Sequence, residues 1–178
     1  MSFMKNSAFG KRYDNVYKEG SQHSVWPWST VVVFLNRLKK SLKKDSKILE
    51  IGCGMGANIN LIKSLGFEYH GIEFSRFAVD KIILRNSDLK KFIVEGDFTK
   101  NLFFPDKKFE IILDRASLTC NPTSKIINSI ELIKEKLAKG GYFLGIDWYS
   151  TNHSGYKIGN STDDEFSMVF DKDNPFFD

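Results

Sequence analysis

Cysteine is scarce. The 178 residues hold two, Cys53 and Cys120, which are too few for a disulfide framework and form no metal-spaced cluster. A reducing compartment fits that usage. No stretch approaches the roughly 20 apolar residues of a membrane-spanning helix. The first residues place Lys5, Lys11 and Arg12 among polar neighbours, with no apolar run before a small-residue cleavage site. The chain is therefore expected to be cytoplasmic, with no membrane partner. Charge of one sign is also missing: 26 basic residues face 22 acidic ones, a net charge of +4. The lysines are spread along the chain instead of gathered in a basic arm, so nucleic-acid binding is not implied. The densest group, Lys39, Lys40, Lys43 and Lys44, lies where an amphipathic helix ends and cations complement the helix dipole. No internal repeat is present.

Core material is ample. The chain is 42% hydrophobic with 16 Phe and 27% charged residues, enough for one folded domain and too little for two ordinary ones. From Lys47 onward, β-rich runs alternate with helical periodicity, the pattern of βαβ units and a parallel sheet covered on both faces. The spacing predicts strands over Lys47 to Ile51, Glu68 to Ile72, Phe92 to Glu95, Phe109 to Asp114 and Tyr142 to Trp148. It predicts a helix from about Gly56 to a Gly66 stop, a second capped by Ser75 with Ala78, Val79, Ile82 and Ile83 on one face, and a third from Ser124 to Leu137 closed by Gly140-Gly141. Ahead of these, Ser29 to Leu42 reads as a helix with Val31, Phe34, Leu35, Leu38 and Leu42 on one side. Residues 1–45 are expected to form an aromatic, helical cap on the domain made by 46–178.

The run Ile48-Leu49-Glu50-Ile51-Gly52-Cys53-Gly54-Met55-Gly56 carries the chemistry. Alternating glycines directly after an apolar strand let the backbone turn sharply and approach a ligand that a β-carbon would obstruct. Gly52-x-Gly54-x-x-Ala57 also satisfies the looser dinucleotide pattern, so the loop alone leaves two cofactors open. Glu73 ends the second strand, where a carboxylate accepts hydrogen bonds from ribose hydroxyls. Asp97 and Phe98 follow the third strand, positioned for an adenine amino group and ring, and Asp114 ends the fourth. With Glu50, these acids make an edge that suits a sulfonium and an ammonium and repels a pyrophosphate.

On these residues the chain resembles the class I S-adenosylmethionine-dependent methyltransferases over roughly Ser46 to Trp148. Leu49 to Gly56 looks like that family's first motif, Glu73 stands at its ribose acid, Gly96-Asp97-Phe98 at its adenine segment, and Asp114 at the strand-four position facing donor and substrate. The resemblance implies a Rossmann-like α/β fold with a doubly wound, mostly parallel sheet. It also implies S-adenosylmethionine as methyl donor, S-adenosylhomocysteine as product, and donor contacts from Glu50, Gly52, Cys53, Gly54, Gly56, Glu73, Phe74, Asp97, Phe98 and Asp114. A fainter likeness, carried by Asp114-Arg115-Ala116-Ser117-Leu118 and Asn121-Pro122, points to small-molecule thiol and thiopurine methyltransferases. The family's sheet usually ends with two further strands, one of them antiparallel. After Trp148 only Phe166 to Phe170 offers one, so a fragment or shortened variant with an incomplete final strand pair is expected.

Methyl transfer from a sulfonium is an in-line displacement in which the protein chiefly aligns nucleophile, carbon and sulfur, and a general base is optional. Asp114, His153 and Tyr149 are the titratable candidates if one is used. Tyr13, Tyr17, Trp26, Trp28 and Trp148 are candidates for a lid or substrate wall, the tryptophans before the first long helix serving equally as packing anchors. Cys120 is a candidate nucleophile, but without a paired His it reads as a small buried residue. The expected function is methylation of a small-molecule acceptor. A non-catalytic donor-binding module and a nicotinamide-dependent oxidoreductase remain as alternatives, the latter weakened by the acidic strand tips and the lack of a Tyr-x-x-x-Lys pair.

Overall fold

The computed structural model describes residues 8–20 and 24–170. Five parallel strands make one sheet in the order β3-β2-β1-β4-β5: β1 is Lys47–Ile51, β2 Glu68–Glu73, β3 Ile93–Glu95, β4 Phe109–Arg115 and β5 Leu137–Ile146. The central strands are apolar throughout because both faces are covered. Ile48, Ile111 and Leu113 point to one face, where they pack with Val31 and Leu35 of α2 (Ser29–Leu38), Ile59 and Ile62 of α3 (Ile59–Ser64), and Val79 and Ile82 of α4 (Arg76–Arg85). Leu49, Ile51 and Ile112 point to the other, against Ile133 of α5 (Thr123–Lys136) and the Phe103-Phe104 loop. The chain order reverses between β1 and β4. Register aligns Ile51 with both Ile72 and Asp114, so three strand tips finish level at that reversal, where open α/β sheets place their ligands.

Helix termini obey local chemistry. The Ser75 hydroxyl accepts from Ala78 N at the start of α4. Past α3, Gly66 at φ 84° sends its amide to the Lys63 carbonyl and the next amide, of Phe67, to that of Ile62, a Schellman closure.

Several expected boundaries move. The helix after the glycine loop begins at Ile59, because residues 54–58 form successive turns. The helix over Ser29 to Leu42 tightens into a 3₁₀ turn at Lys39–Ser41, and Phe34 is turned outward, not into the core. Gly140-Gly141 does not close α5, which stops at Lys136. The two glycines lie inside β5, where Phe109 pairs with Leu137 but Ile111 with Tyr142, so extra residues bulge out. A β-carbon on Gly141 would sit 3.0 Å from the carbonyls of Ala138 and Glu110, which explains a glycine in that strand.

Beyond the sheet, α6 (Ser154–Ile158) precedes a separate antiparallel pair, β6 (Asn160–Ser161) with β7 (Met168–Val169). The candidate strand in Phe166 to Phe170 thus joins β6, not the main sheet. α1 (Ala8–Lys18) lies against α4, where the Asp14 carboxylate accepts from Ser75 Oγ and Phe77 N. Among the described residues no helix is long and apolar enough to cross a membrane.

Candidate active site

The β1 tip turns through Gly52, Gly54 and Gly56, all at positive φ (63°, 53° and 81°), a region costly for residues with a β-carbon. The space each frees differs. A β-carbon on Gly52 would lie 2.1 Å from Ser117 Oγ, and one on Gly56 2.5 Å from Ile59 Cδ1. Gly56 is therefore a packing glycine and is not among the residues that line the cavity beside the loop. Gly54 faces outward toward the Tyr17 hydroxyl.

That cavity, about 550 Å³, is lined by the loop from Gly52 to Met55 together with Glu50, Glu73, Phe74, Asp97 and Phe98. Glu73 is buried; its Oε2 accepts from Gly54 N at 2.7 Å and its Oε1 from Ser75 N at 2.9 Å. Burial raises its pKa, outweighing the amides that favour the charged form. Glu50 accepts from Asn58 Nδ2 and Tyr69 OH, each at 2.7 Å. Burial, reinforced by the neighbouring charges of Asp114 and Glu73, pushes its carboxyl up to about 7 despite those bonds. Asp97 behaves oppositely. Burial pulls its pKa upward, but the Thr99 hydroxyl and amide and the Lys100 ammonium prevail and hold it low. Cys53 also lines the cavity, yet burial raises its thiol well above the ordinary range, which denies it a nucleophilic thiolate.

The expected lid divides. Tyr13 and Tyr17 both line the cavity, their ring centroids 6.3 Å apart on one face of α1. Trp28 does so as well, with the Arg115 guanidinium stacked 3.6 Å from its ring centroid. Arg115 also donates through Nε to Asp147 at 2.8 Å, so one side chain ties the β4 tip, the β5 tip and the start of α2 together. Trp26 is 79% exposed and lies outside the cavity wall.

Neither Asp114 nor Trp148 lines the cavity. Asp114 is fully buried: Oδ1 accepts from the amides of Ser117 and Leu118 at 3.1 and 3.0 Å, and Oδ2 from Trp148 Nε1 at 2.6 Å. Burial lifts its pKa to about 6 against those donors. Its place is beneath the floor, holding the 3₁₀ turn Leu118–Cys120 in position. Trp148→Phe removes one donor from this buried carboxylate and should lower stability by about 1–3 kcal/mol, while donor affinity stays within about twofold. Thermal melts and calorimetry check both.

His153 is not poised as a base. Its Nδ1 accepts from Gly155 N at 3.0 Å, which leaves the proton of the neutral ring on Nε2. Tyr149 lines the cavity, and Cys120, expected to be buried, is instead exposed and donates to the Ala116 carbonyl. Sequence reasoning missed Asn58 and Asp14, and it named Arg115, Ser117 and Asn121 only within the fainter likeness, with no role in the site. Neither Asn58 nor Asp14 sits in a periodic or spaced pattern, although Asn58 falls two residues beyond the glycine motif. Among the described residues no three His, Cys, Asp or Glu side chains converge as a metal set.

The model of a protein family described as "Methyltransferase domain" matches residues 30–163. No curated protein matches this chain. Among solved structures, the CcbJ methyltransferase from Streptomyces caelestis is 22% identical with a TM-score of 0.59, covering 79% of this chain and 57% of its own. The sugar N-methyltransferase KedS8 from Streptoalloteichus sp ATCC 53650 has 16% identity and a TM-score of 0.59, over 84% and 59% of the two chains. A SAM-dependent methyltransferase from Geobacter sulfurreducens, in complex with S-adenosyl-L-homocysteine, has 19% identity and a TM-score of 0.54, over 74% and 53%. This chain thus spans between half and three fifths of the length of each, and the likeness is one of fold. With three quarters of its residues matched by the family model and the sheet order and loop of that fold in place, the chain belongs to the methyltransferase domain family.

Proposed function

We propose that this chain is an S-adenosylmethionine-dependent methyltransferase that acts on a small molecule in the cytoplasm. One observation carries the choice of donor: the Gly54 amide, which a phosphate would need at this loop, is already taken by the Glu73 carboxylate at 2.7 Å. A pyrophosphate there would face an acid within hydrogen-bonding range of its own site. A ligand that brings hydroxyls and positive charge meets acceptors instead. The residues fit such a donor: Glu73 keeps lone pairs for ribose hydroxyls, Asp97 and Phe98 lie beside one another for an adenine, and Glu50 supplies negative potential for the cationic end. When bound, S-adenosylmethionine supplies an activated methyl group. The chain's own part is to orient it, exclude water and align the acceptor. Solved neighbours described as sugar and glycopeptide N-methyltransferases support a small acceptor, and a chain with only two cysteines, Cys53 and Cys120, suits a reducing compartment.

Calorimetric titration with S-adenosylmethionine, S-adenosylhomocysteine and nicotinamide dinucleotides tests this directly. Saturable binding of the first two is expected, and Asp97→Ala should weaken S-adenosylmethionine about tenfold, the scale of one lost charge-assisted contact. Binding of a dinucleotide alone would sink the reading.

A further inference from the structure

The wall of the cavity beside the glycine loop is divided by charge. Glu50, Glu73 and Asp97 come from the tips of β1 and β2 and the turn after β3, and Lys100 is drawn onto Asp97 at 3.3 Å. Across the reversal in chain order, the β4 tip and the start of α5 bring two cations to the same cavity, Arg115 and Lys125. A cleft with one sign of charge at each end orients what enters it.

Neither cation is explained by the fold alone. Lys125 sits in the first turn of α5, where the helix dipole disfavours a positive side chain and no acid of that turn offsets it. The carboxylate nearest in the hydrogen-bond pattern, Asp164, is engaged by the amide and hydroxyl of Thr123 at 2.6 and 2.9 Å. Among the described residues Lys125 forms no ion pair. Arg115 is held rigidly: its guanidinium stacks 3.6 Å from the Trp28 ring centroid and its Nε donates to Asp147 at 2.8 Å. Those contacts leave its terminal nitrogens without an acceptor among the described residues. A planar fork fixed in that way matches the paired oxygens of a carboxylate or phosphate, and a nearby lysine adds a mobile point charge.

We infer that Arg115 and Lys125 select the acceptor by charge, so that the molecule this chain methylates carries an anionic group, a carboxylate or a phosphate, held at the β4 and α5 end of the cavity. The inference rests on the methyl-donor reading above, which puts the sulfonium and ammonium at the acidic end. The donor carries a carboxylate of its own, and that anion is the competing occupant of the basic end.

The full chain, loaded with S-adenosylhomocysteine, is titrated calorimetrically with matched probes: 4-aminobenzoate and 4-hydroxybenzoate, 4-aminophenyl phosphate and 4-hydroxyphenyl phosphate, and the uncharged 4-aminobenzamide and 4-hydroxybenzamide. At least one anionic class should bind about tenfold or more tighter than the amides, and the tighter class identifies the group. The preference should shrink as salt is raised. Lys125→Met should cut it about tenfold and Lys125→Glu further, with Arg115→Gln comparable, while the dissociation constant of S-adenosylmethionine stays within about twofold. Lys125 is exposed, so its two variants should melt at the temperature of the parent chain and keep the test independent of any unfolding in Arg115→Gln. Amides that bind as tightly as the anions, or no binding of any anion, overturn the inference, as does a preference that survives both Lys125 variants. A parallel loss of S-adenosylmethionine affinity gives the cations to the donor's own carboxylate and overturns it too. A chain that does not bind S-adenosylhomocysteine sinks the donor reading itself, which the loading step reveals before any probe is added.

Discussion

Glu73→Ala is expected to weaken S-adenosylmethionine about a hundredfold or more, a loss of about 2.7 kcal/mol in binding free energy. Two effects act together. The carboxylate is the acceptor positioned for ribose hydroxyls, and it also organises the loop, since Oε2 holds Gly54 N at 2.7 Å and Oε1 holds Ser75 N at 2.9 Å. Removing it leaves two loop amides without that acceptor at a point where φ is 53° and nothing else restores the turn. Stability should fall less than two charge-assisted bonds would suggest, because burial already disfavours the charged group. Glu73→Gln separates the roles: its carbonyl keeps one amide bond, so folding should be near normal while donor affinity remains well below wild type. Calorimetry and thermal melts with and without donor distinguish these outcomes, and an unchanged dissociation constant in Glu73→Ala would place the ligand elsewhere.

The strand pattern was legible because burial on both faces leaves a continuous apolar run, as in Lys47–Ile51, where every residue after the first is buried. Ser75 at the start of α4 was equally plain, since a cap is a local device. The glycine pair at 140 and 141 misled for the same reason. Glycine after a helical stripe reads as a stop, and only the pairing of Phe109 with Leu137 reveals a bulge in a strand that starts at once after Lys136. Nonlocal pairing of that kind has no signature in the residues themselves.

The candidate site divides in a similar way. Glu50, Gly52, Glu73 and Asp97 sit at strand tips, and a parallel sheet carries all such tips to one edge. Whether a side chain at that edge faces the ligand or the floor depends on neighbours distant in sequence. Asp114 pairs with Ile51 and Glu73 follows Ile72, the partner of Ile51 on its other side, yet Trp148 and the Ser117 turn draw Asp114 beneath the floor. Asp14, which fixes the helix bearing Tyr13 and Tyr17 over the loop, acts on partners more than 60 positions away. Gly56 matched a motif position but serves the packing of Ile59.

Donor affinity and stability of the ligand-free chain should respond to pH with opposite signs, and Glu50 is the cause. Its carboxyl titrates at about 7 in the fold, against an ordinary 4.5. Between those values the folded chain holds a proton that the unfolded chain has released. Stability is therefore greatest at the acid end of this window and declines as pH rises through it, by on the order of 3 kcal/mol. Asp114, raised from 3.8 to about 6, slopes the same way at lower pH. Binding runs in reverse, because a sulfonium and an ammonium favour the ionised carboxylate. Affinity for S-adenosylmethionine should therefore climb about tenfold or more between pH 5.5 and 8, accompanied by proton release at the lower end. S-adenosylhomocysteine lacks the sulfonium charge and should climb less. Glu50→Gln removes the titration while keeping an acceptor for Asn58 Nδ2, so it should flatten both slopes, stabilise the ligand-free chain at pH 8 and narrow the preference for S-adenosylmethionine over S-adenosylhomocysteine. Calorimetry in buffers of differing ionisation enthalpy reads the proton release, and a preference that stays constant across pH in wild type would show that Glu50 does not face the sulfonium.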